Sequence, residues 1–76
     1  MRFRFDAYGL YHLVVERHGD TWRVLQIGAD GKRMERQDLA IPPDYASARE
    51  IGEFLDVLLH ESSRPGRSLR LLNEGD

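Results

Sequence analysis

Apolar and polar residues alternate along the first half of the chain, as they do in β-strands that bury one face. Residues 2–7 are the clearest case, with Phe and Ala on one side and Arg and Asp on the other. Two further strands are predicted at residues 11–17 and 21–27, which are rich in β-branched and aromatic side chains. A fourth strand is predicted at about residues 33–39.

Turns between these strands determine how the strands pair. The sequence predicts a three-residue connection through Gly9 and two-residue turns at residues 19–20 and 30–31. Directly opposed residues share a face, so the last turn would place Trp22 opposite Leu39. The three registers agree on one apolar inner face, made of Phe3, Phe5, Ala7, Tyr11, Leu13, Val15, Trp22, Val24 and Leu39.

One long stretch, residues 47–61, has helical periodicity instead. Ser47 and Glu50 have the spacing of a capping box, which satisfies free N–H groups in the first turn. The apolar residues of this stretch form one stripe, which consists of Ile51, Phe54, Leu55, Leu58 and Leu59. The inner sheet face is the surface available to cover that stripe. The predicted fold is therefore α+β, a four-stranded antiparallel meander (β-β-β-β-α) with one helix packed on one face.

Prolines and glycines mark the ends of this unit. Ile41-Pro42-Pro43-Asp44 ends the meander, because proline donates no hydrogen bond to a neighbouring strand. A polar stretch with Pro65-Gly66 ends the helix. We expect a single domain over residues 1–66 and a partly disordered C-terminal tail over residues 67–76, whose leucines either pack back on the domain or await a partner: Leu69, Leu71 and Leu72.

Length and composition narrow the function. A chain of 76 residues has room for one domain, and its net charge of -2 gives no overall attraction to nucleic acid or anionic membrane. No apolar run approaches the ~18 residues of a membrane span, and the N-terminus lacks a secretory signal. The chain has no cysteine, which removes disulfides and thiolate chemistry and favours a cytoplasmic location.

Few residues have the spacing of a reactive site. Asp56 and His60 lie one helical turn apart, where a carboxylate can orient an imidazole, although a solvated surface pair has the same spacing. His12 and His18 would lie roughly 20 Å apart along an extended strand, too far to share a ligand. No nucleophile elbow, phosphate loop or zinc spacing is present. We therefore expect no enzymatic activity, no cofactor and no metal.

The predicted outer face of the sheet is the more informative surface. It combines arginines, among them Arg2 and Arg4, with carboxylates that can pair across strands, and an apolar row passes between them. Such a surface fits a protein interface, and a homodimer is its simplest form. The alternative is a nucleic-acid-associated regulator that uses the arginines. The candidate interface consists of Val14, Arg23, Leu25, Ile27, Met34 and Arg36.

Four segments resemble a group of short bacterial proteins classed as a domain of unknown function: F-D-A-Y-G-L-Y at 5–11, D-T-W-R-V at 20–24, I-P-P-D at 41–44 and F-L-D-V-L-L-H-E at 54–61. This resemblance implies a small bacterial protein without a known activity. R-P-G-R-S-L-R at 64–70 is similar to the end of MbtH-like proteins, which dock on adenylation domains of peptide synthetases. The tryptophan-proline signature of those proteins is absent here, so an accessory role of that kind rests on one segment.

Overall fold

The computed structural model describes residues 1–59 and 69–75, and within them it contains one antiparallel sheet and one helix. The elements are β1 (Arg2–Ala7), β2 (Tyr11–His18), β3 (Thr21–Ile27), β4 (Arg33–Glu35), α1 (Ala48–Leu58) and β5 (Leu69–Gly75). The strand order in the sheet is β4-β3-β2-β1-β5. The α+β class is thus confirmed, and the predicted meander is extended by a fifth strand.

This fifth strand corrects the prediction of a separate tail from residue 67. Residues 69–75 pair antiparallel with β1 and form an edge of the sheet, with a register irregularity beside Arg4 and Phe5. Leu69 and Leu71 lie opposite the inner-face residues Ala7 and Phe5. The C-terminal leucines were therefore a strand signal, because two of them continue the apolar inner face.

The pairing of the first three strands is confirmed. Phe3 lies opposite Val15, and Val15 lies opposite Val24, as the predicted turns require. The connection between β1 and β2 turns at Tyr8 and Gly9, whose φ angles are 57° and 74°. Positive φ is strained for a tyrosine, so contacts elsewhere must hold Tyr8 in this conformation.

The predicted register between β3 and β4 is wrong by one residue. The turn is centred on Ala29 and Asp30, because the Gly31 N–H donates to the carbonyl of Gly28 at 2.9 Å. Gly31 follows with a φ of 84°, which is the bulged hairpin that a glycine in this position permits. Arg33 therefore lies opposite Ile27. The strand also ends at Glu35, so the predicted pair of Trp22 and Leu39 does not form.

The core lies between α1 and the inner face of the sheet. All nine residues predicted for that face are buried except Tyr11, which is half-buried. Leu39 reaches the core from the loop after β4, since its N–H donates to the carbonyl of Arg36 at 3.3 Å. Tyr8 and Ile41 also enter the core from loops. The core thus draws on turns as well as on regular elements.

Helix α1 begins as the capping box predicts, since the Ser47 side chain accepts a hydrogen bond from the Glu50 N–H. Of the predicted stripe, three residues are buried, namely Ile51, Leu55 and Leu59. Phe54 is half-buried and packs edge-on against Tyr45, with ring centroids 5.7 Å apart. Leu58 is 46% exposed, so its placement in the core was wrong. α1 is the one helix within the described ranges, and its 11 residues are too few and too polar to cross a membrane.

Candidate functional site

The outer face of the sheet is the side opposite α1. The register places on it the residues that alternate with the core set. In the described part of the chain these include five arginines and three carboxylates, namely Arg2, Arg4, Arg23, Arg33, Arg70, Asp6, Glu16 and Glu35. The face is thus more cationic than the chain as a whole, whose net charge is -2.

Three apolar residues of the predicted interface do lie on the outer face. Val14 is opposite Leu25, and Ile27 follows two positions later on the same strand. Val14 is only 3% exposed, whereas Leu25 and Ile27 are half-buried. The apolar area that a partner could contact is therefore small and centred on Leu25 and Ile27.

Two residues of the predicted interface lie on the other side of the sheet. Met34 is opposite Gln26, an inner-face position, and is 55% exposed at the sheet edge. Arg36 donates a hydrogen bond to the Gln26 side chain at 2.6 Å and two more to Asp38 at 2.9 and 2.7 Å. The hydrogen bonds between Arg36 and Asp38 raise the pKa of Arg36 and lower the pKa of Asp38. The one-residue register difference explains both misplacements.

Two of the outer-face arginines are paired with carboxylates. Arg23, the remaining residue of the predicted interface, donates to Glu35 at 2.7 Å. This hydrogen bond lowers the pKa of the Glu35 carboxyl, and a second one from Gln37 acts in the same direction. Arg70 lies 3.7 Å from Asp6. Arginines and carboxylates of the outer face thus pair across strands, as the sequence predicted.

His12 is held between two charged side chains on the same face. The Arg4 Nε–H donates to Nδ1 of His12 at 3.1 Å, and Nε2 of His12 lies 3.7 Å from Asp6. Nδ1 of His12 is the acceptor in the contact with Arg4. Asp6 also accepts a hydrogen bond from the Gly9 N–H at 3.2 Å. The arrangement orients Arg4 firmly and occupies the acceptor nitrogen that a general base would use.

Two shallow depressions open on this face and meet at Arg4. One, of about 310 Å³, is lined by Arg2, Arg4, Asn73 and Gly75. The other, of about 340 Å³, lies beside His12 and Ile27 and extends to the turns that follow β1 and β3. The first depression exists only because β5 joins the sheet, and this strand was not predicted from the sequence.

Of the predicted pair of Asp56 and His60, His60 lies outside the described residues. Asp56 accepts a hydrogen bond of 2.6 Å from the Tyr8 hydroxyl. Burial raises the pKa of the Tyr8 phenol, and the hydrogen bond to Asp56 raises it further. This contact joins α1 to the strained turn after β1 and gives Asp56 a structural role. Within residues 1–59 and 69–75, no three His, Cys, Asp or Glu side chains are grouped so as to hold a metal ion.

Comparison with known proteins identifies the family of this chain. The family model described as "Domain of unknown function (DUF7661)" matches residues 2–71. The chain belongs to this family. The DUF7661 match begins with β1 and ends within β5, so it includes most of the outer face. No curated protein and no solved structure matches the chain. Most of the MbtH-like segment at 64–70 lies outside the described residues, and its last two residues begin β5.

Proposed function

We propose that this DUF7661 protein is a non-enzymatic module that binds another protein through the outer face of its sheet. The observation that carries the proposal is the composition of that face. Half-buried Leu25 and Ile27 form an apolar patch on β3, and paired charges such as Arg23 and Glu35 lie beside it. An apolar centre with a polar, hydrogen-bonded rim is the usual anatomy of a protein interface. No described element covers this face.

The charge pairing favours a protein over a nucleic acid as the partner. An arginine in an ion pair with a carboxylate, as in the Arg70–Asp6 pair, offers less positive potential to a phosphate backbone. Single-stranded nucleic acids are bound largely by stacking on aromatic side chains. Among the described residues the aromatic side chains of the strands belong to the inner face. A nucleic-acid-associated role is therefore the weaker alternative.

The excess of arginine favours an acidic partner over a second copy of the chain. Two outer faces in a symmetric dimer would place the same cationic surfaces against each other. A partner with carboxylates around an apolar contact would complement this face instead. Light scattering after size exclusion distinguishes the two cases: a mass near 8.8 kDa at high concentration supports the acidic partner, and a mass of twice that value supports the homodimer.

The proposal is tested by capture from extract with matched variants. Leu25→Asp places a charge at the apolar centre, and Arg23→Glu reverses a rim charge; both should abolish capture of the partner. Val57→Asp is the control, because Val57 is an exposed apolar residue on α1. Retention of capture by Leu25→Asp and Arg23→Glu, with loss in Val57→Asp, would contradict the proposal. Capture that disappears after nuclease treatment would instead support the nucleic-acid alternative.

Two further parts of the proposal are the absence of catalysis and the location. His12 accepts a hydrogen bond from Arg4, and Asp56 accepts one from Tyr8, so both side chains have structural contacts that account for them. We expect the protein to act in the bacterial cytoplasm, as the cysteine-free sequence and the resemblance to short bacterial proteins favour. Fractionation of cells that express the tagged chain would test this expectation.

A further inference from the structure

We propose that the depression lined by Arg2, Arg4 and Asn73 binds a carboxylate side chain from an acidic segment of the partner protein. This inference rests on the proposed function and specifies where the partner's charge is bound. The ligand is an Asp or Glu side chain in an extended or irregular segment, since the depression is shallow and open to solvent.

This part of the outer face differs from the rest because two arginines line it together and neither is paired with a described carboxylate. Arg23 and Arg70 contact Glu35 and Asp6. Within the described residues, Arg2 and Arg4 form no ion pair. Arg33 also forms none there, but it lies on β4 at the opposite edge of the sheet. Arg2 and Arg4 are the two unpaired arginines that line one depression together, so an added anion can contact both.

The hydrogen bond to His12 orients the Arg4 guanidinium for binding a carboxylate. The Nε–H of Arg4 donates to His12, and neither terminal nitrogen of Arg4 donates to a described residue. A guanidinium fixed through Nε presents its two terminal nitrogens as a planar fork, which matches the two oxygens of a carboxylate. Less side-chain entropy is lost on binding when the fork is already oriented.

Strand β5 completes the site from the opposite side. Its register places Asn73 opposite Arg4 and Gly75 opposite Arg2. The Asn73 amide can donate hydrogen bonds to a carboxylate oxygen. Gly75 has no side chain to cover Arg2, which leaves the guanidinium accessible. Two arginines and one amide thus converge on a depression of about 310 Å³.

Neighbouring acidic groups limit the ligand to a few charges. Glu16 lies opposite Arg2, and Asp6 follows Arg4 by two positions on the same face. A regularly charged polymer such as nucleic acid would bring phosphates against these carboxylates, which is unfavourable. A peptide segment can place one or two carboxylates at the arginines and neutral residues elsewhere.

The experiment is an NMR titration of the full chain, labelled with ¹⁵N, with a capped tetraglutamate peptide; capped tetraglutamine is the control ligand. We expect tetraglutamate to shift the Nε–H signals of Arg2 and Arg4 and the side-chain amide signals of Asn73. Arg2→Gln and Arg4→Gln should each weaken binding by about threefold, which is within the range for exposed ion pairs. Arg49→Gln on α1, whose side chain is 88% exposed, should leave binding unchanged.

Three results would overturn the inference: equal shifts at Arg49 and at the outer-face arginines, equal shifts with tetraglutamine, or saturation by oligothymidylate at a lower concentration than by tetraglutamate. Arg4→Gln also removes a hydrogen bond to His12, so the exposed variant Arg2→Gln keeps the test valid if Arg4→Gln unfolds. If Arg2→Gln binds tetraglutamate normally while Leu25→Asp still abolishes partner capture, the carboxylate site is wrong but the proposed protein interface stands. If partner capture also survives Leu25→Asp and Arg23→Glu, the proposed function fails with it.

Discussion

The hydrogen bond between Tyr8 and Asp56 should contribute more to stability than any ion pair on the surface. Tyr8 is 1% exposed and its hydroxyl donates to Asp56 at 2.6 Å. Asp56→Ala would leave a buried hydroxyl without a partner, which costs about 1–3 kcal/mol. Tyr8→Phe should cost only about 0.5–1.5 kcal/mol, the net value of a typical hydrogen bond, because the carboxylate of Asp56 is exposed and regains water.

Urea denaturation of the two single variants and of the double variant would measure this asymmetry. In the Tyr8→Phe background, Asp56→Ala should be neutral or slightly stabilising. No buried hydroxyl remains there, and a negative charge near the C-terminal end of a helix is itself unfavourable by about 0.3–1 kcal/mol. Glu53→Ala is the control, since Glu53 lies on the same helix and its side chain is 71% exposed. The reasoning is refuted if Asp56→Ala destabilises no more than Glu53→Ala, or by the same amount in both backgrounds.

Three other predictions concern the same core. Leu55→Ala should lower the free energy of unfolding by about 2–5 kcal/mol, and Phe54→Ala by less because Phe54 is half-buried; equal losses in thermal melts would contradict this order. Gly52→Ala should destabilise despite the better helix propensity of alanine, since its Cβ would lie 3.2 Å from the Phe5 ring; Phe5→Leu should relieve the effect. Since the pKa of Tyr8 is raised on folding, its contribution to stability in urea should be fully present below about pH 10 and be lost above it, and Tyr8→Phe should remove that alkaline fall.

The parts of the fold that the sequence predicts are those fixed by local periodicity and short turns. Gly19 lies at the first central position of its turn, with a φ of 66°, so the register of β2 and β3 follows from two residues. The turn after β3 could not be assigned in the same way. The Asp30-Gly31 pair is compatible with a two-residue turn and also with a turn at residues 29–30 that is followed by a bulge at Gly31. The hydrogen bond from the Gly31 N–H to the Gly28 carbonyl identifies the second of these turns.

Long-range pairing accounts for most of what the sequence left open. β5 pairs with the first strand of the chain across a long separation, and no local signal specifies that pairing. The alternation of Leu69 and Leu71 is typical of a strand, but the adjacent Leu72 breaks the alternation and the run is too short to indicate a strand clearly. Tyr8 was missed because a tyrosine beside a glycine in a turn is usually exposed, whereas here the hydrogen bond to Asp56 draws it into the core.

The one-residue difference in the β3–β4 register also changes which partner the outer face fits. With the predicted register, Met34 would lie opposite Ile27 and add to the apolar row. The observed register places Glu35 opposite Leu25 and Arg33 opposite Ile27 instead. The apolar centre is thereby reduced and bordered by charge, and charged borders influence the choice of partner more than the affinity. Met34 is thus not available to the apolar contact of a homodimer, and under the proposed function the partner would meet Arg33 and Glu35 beside Leu25 and Ile27.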